Sequence, residues 1–146
     1  MKTFMKPLNA FIIVISMISL FSCSNDDDVL ILPPEPTTQE LLANKWYLEK
    51  RVNTSTTPPT TYEANDCEKN TYFDFNNDGI IIAESFGLNG GNCESLSLES
   101  GTYSLNNNED QIIITDSGST QIVDILTLSS TELVISFNTT EIHFMR

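Results

Sequence analysis

Gln111-Ile112-Ile113-Ile114-Thr115-Asp116, Gln121 to Leu128, Glu132-Leu133-Val134-Ile135-Ser136-Phe137 and Glu141-Ile142-His143-Phe144-Met145 follow one another down the last third of the chain. Short polar turns at Ser117-Gly118, Ser129-Ser130 and Asn138-Thr139-Thr140 separate them. Runs this short, rich in Ile, Val, Thr and Phe and bounded by turn residues, predict strands and not helices. The connections are too short for crossovers, so successive strands must be antiparallel neighbours.

The same grammar extends upstream. Gly101-Thr102-Tyr103-Ser104-Leu105 precedes the polar turn Asn106 to Asp110. Thr71-Tyr72-Phe73-Asp74-Phe75 and Ile80-Ile81-Ile82-Ala83-Glu84 flank Asn76-Asn77-Asp78-Gly79, a hairpin signal. Asn44 to Val52 alternates and places Trp46, Leu48 and Val52 on one face. Eight short strands and no long helix predict an all-β fold, an antiparallel sandwich or barrel. The short connections favour an eight-stranded up-and-down barrel. Ahead of it, Thr38 is expected to cap one or two helical turns over Gln39 to Ala43. Asn53 to Asn65 and the Gly/Asn-rich Gly87 to Asn92 carry no periodic pattern and are expected to be loops at the rim.

The N-terminus has a different character. Lys2 and Lys6 precede an apolar run from Ala10 through Phe21, short for a membrane span and suited to a signal-peptide core. Ser22-Cys23 follows, then the polar run Ser24-Asn25-Asp26-Asp27-Asp28. This arrangement resembles the lipobox of bacterial lipoproteins, although Phe21 is bulkier than that motif usually has. The resemblance implies cleavage before Cys23 and attachment of acyl chains, palmitate among them, to that residue. Each buried CH₂ adds roughly 0.8 kcal/mol of membrane affinity. Residues 1–22 are then a leader, and 23–37 an acylated acidic tether stiffened by Pro33-Pro34-Glu35-Pro36. The domain proper is 38–146. The acidic run after Cys23 resembles the surface-export tags of Bacteroidota lipoproteins, and a solvated spacer would have the same composition. The expected location is the bacterial outer membrane, with either face open.

Without residues 1–22 the chain keeps 124 of its 146 residues, enough for one domain. Lys2 and Lys6 leave with the leader, so five cations face twenty acids, a net charge of −15. Such a body repels phosphate backbones, which argues against nucleic-acid binding. With Cys23 assigned to lipid, Cys67 and Cys93 remain, and an even pair in an exported chain argues for a disulfide. A zinc site would have only His143 and two distant cysteines to draw on. A reactive thiol would have no nearby base.

Further residues carry a second resemblance. Leu41-Leu42-Ala43-Asn44-Lys45-Trp46-Tyr47-Leu48, Phe73-Asp74-Phe75 with Asp78-Gly79, Gly101-Thr102-Tyr103, and Ile125 to Leu128 followed by Leu133-Val134-Ile135 fall in an order similar to that of lipocalin-like lipoproteins of Bacteroidota. The match covers about residues 39–146, with Asn44 where lipocalin relatives usually have glycine. It implies an eight-stranded calyx with the first-strand tryptophan near its closed end. It names no ligand.

Trp46, Leu48, Phe73, Phe75, Tyr103, Ile112, Ile114, Leu133, Ile135 and Phe137 are the candidates to line the interior, with Ile142 and Phe144 beside them. A barrel of this size either fills with its own side chains or holds one small ligand. Two function classes follow. One is a carrier of a small apolar or amphipathic molecule; the other is an accessory module whose loops meet a protein or glycan partner. Catalysis has little support: His143 alternates with Ile142 and Phe144 and has no nucleophile motif, and the carboxylates fall in turns and on polar faces. No cofactor is implied. Asp74-Phe75-Asn76-Asn77-Asp78-Gly79 opens like a calcium loop, but Ser85 occupies the position that should supply the closing acid, and a polar hairpin accounts for the same residues.

Overall fold

The computed structural model describes residues 33–146, so the leader, Cys23 and most of the tether lie outside the described residues. A short helix, α1 (Thr38–Leu42), precedes nine strands: β1 (Lys45–Asn53), β2 (Thr60–Glu63), β3 (Tyr72–Phe75), β4 (Ile80–Asn89), β5 (Asn92–Leu105), β6 (Gln111–Asp116), β7 (Ser119–Leu128), β8 (Glu132–Phe137) and β9 (Thr140–Met145). From β3 to β9 each strand pairs antiparallel with the next, and β9 returns to pair with β1. The other edge of β1 is shared: β3 takes Lys45 to Tyr47, and β2 takes Lys50 to Asn53. The barrel therefore has eight staves, one of them split between β2 and β3. Closure removes the edges of the barrel body, while the outer part of the β4–β5 hairpin, past Glu84 and before Thr102, pairs only with itself. Glu35–Arg146 forms one compact unit.

Three details differ from the sequence reading. The helix is capped by Thr37, not Thr38: the Thr37 hydroxyl accepts from the Glu40 N–H, and the Glu40 carboxylate accepts from the Thr37 N–H, a reciprocal capping box. These bonds hold the Glu40 carboxyl below the usual carboxylate range. The segment Asn53 to Asn65 is not all loop, because β2 runs through it. Gly87 to Asn92 is not a loop either. β4 and β5 continue through it and turn at Gly90-Gly91, both at positive φ, so the hairpin is much longer than expected.

The helix end of the barrel is sealed. Leu42 and Trp46 are fully buried there, and the Leu42 carbonyl accepts both the indole N–H at 2.9 Å and the Asn44 N–H at 2.7 Å. Phe75, Ile112, Leu133, Ile135 and Phe144 pack above them. The Tyr103 hydroxyl donates to the Asn76 carbonyl and accepts from the Gln39 amide, both at 2.7 Å, which ties the β3–β4 turn and the helix to β5. Burial pushes the Tyr103 phenol up from its ordinary value.

The opposite end collects the turn at Gly90-Gly91, the β6–β7 turn at Ser117-Gly118, the β8–β9 turn, and the segment after β1. Here Cys67 and Cys93 form a disulfide. The bridge does not close the barrel; the β1–β9 ladder does that. It fastens the long β4–β5 hairpin to the connection between β2 and β3, where a 3-10 turn spans Glu68–Asn70.

Candidate functional site

The rows of inward side chains change character along the barrel axis. Near the helix they are large and apolar. Toward the open end, register pairs Phe73 with Ala83 and Ala83 with Glu99; Ile81 with Gly101; Asp116 with Ser119; and Ile114 with Gln121. Small or polar residues thus stand where bulk would be needed to fill the interior. The result is an open-mouthed cavity of about 120 Å³, lined by these same residues and Ser100. An engineered apolar cavity of roughly 150 Å³ admits benzene, so this space suits a small molecule or one end of a larger one.

Gly101 is central to the space. A Cβ there would lie 2.6 Å from the Thr115 carbonyl oxygen and 3.2 Å from the Asp116 Cβ. The close approach of β5 and β6 therefore requires glycine, and that glycine leaves Ile81 and Asp116 without a side chain between them.

Of the ten interior candidates, Phe73 and Ile114 line this cavity. Trp46, Leu48, Phe75, Tyr103, Ile112, Leu133 and Ile135 are buried in the packed core nearer the helix. Phe137 shares their strand face but sits at the end of β8 and is 39% exposed. Ile81, Ala83, Glu99, Ser100, Gly101, Asp116, Ser119 and Gln121 also line the cavity and are not among those candidates. Strand parity was the available signal for Asp116, two residues beyond Ile114.

The remaining polar motifs are occupied locally. Asp74 pairs with Lys45 at 3.4 Å, and the Lys45 ammonium lies 3.9 Å over the Tyr72 ring. The Asp78 carboxylate accepts from the Ile80 N–H and Gly79 has φ 81°, so the stretch with the calcium-loop opening forms the β3–β4 turn. His143 points outward between Glu132 (4.0 Å) and Glu141 (3.7 Å), with Nε2 buried and unbonded. Among the described residues no group of three His, Cys, Asp or Glu side chains converges on a metal-sized site.

A family model for the lipocalin-like domain matches residues 42–135. The chain belongs to the lipocalin-like domain family. Its fold is similar to the crystal structure of a lipocalin-like protein from Bacteroides uniformis, at 19% identity and a TM-score of 0.55, over 73% of this chain and 98% of that one. It is also similar to an uncharacterised protein from Bacteroides eggerthii, at 14% identity and a TM-score of 0.51, over 71% and 98% of the two chains. Comparison with curated proteins returned no match. At these identities the likeness speaks for the lipocalin-like fold alone. A lipocalin-like barrel is compatible with ligand binding, and members of the family are generally non-catalytic binders.

Proposed function

We propose that this lipocalin-like protein captures a small apolar or amphipathic molecule in the cavity between β3 and β7, without turnover, while held at the outer membrane by acyl chains on Cys23. The observation that carries the reading is the cavity itself. Its apolar wall is Phe73, Ile81, Ala83 and Ile114, and Glu99, Ser100, Asp116, Ser119 and Gln121 bring polar groups to the same space, so an amphipathic molecule finds partners for both its parts. The volume limits the occupant: a bulky lipid exceeds it, whereas a single ring or short chain fits. The anchoring part rests on the sequence around Cys23.

Native mass spectrometry of the exported protein tests the ligand reading. A discrete excess mass that disappears on denaturation is expected. Ala83→Phe, which places a ring in the cavity, should remove that mass at a stability cost of roughly 1–3 kcal/mol, with the β-sheet circular dichroism retained. An excess mass that survives Ala83→Phe would place the ligand elsewhere. For the anchor, Cys23→Ser is expected to move the protein from the membrane fraction to the soluble one; a variant still sedimenting with membranes would refute acylation as the anchor.

A second reading has its own observation. Beyond the rim, the β4–β5 hairpin exposes Leu88 (62%), Leu96 (61%) and Leu98 (65%). If the protein carries no excess mass, this hairpin becomes the candidate contact for a protein or glycan partner, and the barrel its support.

A further inference from the structure

We propose that the occupant of the cavity is a small organic cation: a protonated amine, or a group of similar chemistry, on a short apolar body. This rests on reading the cavity as a ligand site, and it adds the chemical class. Glu99 lies two residues before Gly101 on β5, and Asp116 two residues after Ile114 on β6, so alternation turns both carboxylates to the interior face. Both line the cavity, and no Lys, Arg or His does. Lys45 is engaged by Asp74 outside, and His143 lies outside near Glu132 and Glu141; Glu99 and Asp116 take part in neither set. Among the described residues, Arg51 is the cation whose strand position shares the interior face. It stands opposite Ile142 on the β1–β9 wall and is not among the lining residues.

Two carboxylates over an apolar wall discriminate strongly by charge. An anion entering the open-mouthed cavity meets like charge from both carboxylates, whereas a cation is attracted there. A bare divalent metal is disfavoured, because calcium needs six or more oxygen ligands and no third acidic, His or Cys side chain joins the pair. Phe73, Ile81 and Ile114 would cover the apolar body, while Ser119 and Gln121 offer hydrogen bonds to an ammonium group or its neighbours. The strongly acidic exported body would also raise the local concentration of cations.

Titration calorimetry of the purified exported chain with benzylamine, benzyl alcohol and benzoate tests the charge and holds the ring constant. Benzylamine is expected to bind about tenfold or more tighter than the other two. Added salt should weaken it alone. Glu99→Gln with Asp116→Asn keeps shape and removes charge; it should abolish the preference and leave benzyl alcohol unchanged, with circular dichroism confirming the fold. Equal binding of the three probes, tighter benzoate, or a preference that survives the double variant would overturn the cation assignment and leave the cavity reading standing. Binding of none of the three would overturn both.

Discussion

Replacing Trp46 by alanine is expected to destabilise the domain by roughly 3–5 kcal/mol, the usual range for removing a fully buried large aromatic side chain. The indole has no exposed surface and stands where the first strand meets the helix. Its loss opens a void against Leu42 and also withdraws one of the two N–H donors to the Leu42 carbonyl, the Asn44 N–H remaining. The lost hydrogen bond itself adds about 0.5–1.5 kcal/mol, since the carbonyl keeps its second donor. Trp46→Phe separates the two effects: most of the apolar volume returns, the hydrogen bond does not, and a loss of about 1–2 kcal/mol is expected. Urea denaturation followed by circular dichroism measures both, since Trp46 is the only tryptophan and fluorescence would report on the deleted group. A Trp46→Ala loss below about 1 kcal/mol would mean that the helix end of the barrel is not sealed as described.

The parts legible in the sequence are those that bury a face. β3 and β6 to β9 bury residues in the core, and burial makes them short runs rich in Ile, Leu, Val and Phe between polar turns, so their existence and order are directly legible. β2 reads Thr60-Thr61-Tyr62-Glu63 and is exposed throughout; with no face buried there is no pattern to find. The outer half of the β4–β5 hairpin fails to announce itself for the same reason. From Asn92 to Ser100 every residue of β5 is exposed, and the composition looks like a loop although the ladder continues. The helix start was off by one because two threonines adjoin; Thr37, with Glu40 three residues on, matches the capping-box spacing.

The cavity was legible only in part, because it is made by cross-strand register. Alternation names the apolar residues that face inward, but the space arises where Ala83 and Gly101 meet Phe73 and Ile81 on neighbouring strands. A single-strand pattern does not contain that pairing. Polar residues that face inward carry no mark in the sequence that separates them from surface ones. Glu99 lies between the Gly87–Asn92 segment and the strand read from Gly101, where no element is expected, and Asp116 is the last, polar residue of its strand. The large aromatics that dominate the sequence turn out to seal the helix end, and most of the cavity lining is small or polar.

Removing the disulfide by substituting both Cys67 and Cys93 with alanine is the second large effect expected. Their separation of 26 residues corresponds to about 3–3.5 kcal/mol of denatured-state entropy on chain-entropy grounds. The double substitution is the cleaner experiment because a single one leaves a free thiol. The loss should appear as a lower urea midpoint, and reducing agent should shift the wild type in the same direction while leaving the variant unchanged. The placement of the bridge adds a local signature. Only β5 pairs with the end of β4 beyond Glu84, since β3 stops at Tyr72. There the hairpin is fastened to the rest of the fold by the disulfide and by the Phe86 N–H donating to the Thr71 hydroxyl. Hydrogen exchange should therefore accelerate most between Ser85 and Ser97, while the β6–β9 ladders, wholly within the closed barrel, stay the most protected. If exchange rose evenly over all strands, the bridge would be acting on the unfolded chain alone. If the hairpin opened with no change in the urea midpoint, its attachment to the barrel would be a local matter with no share in global stability.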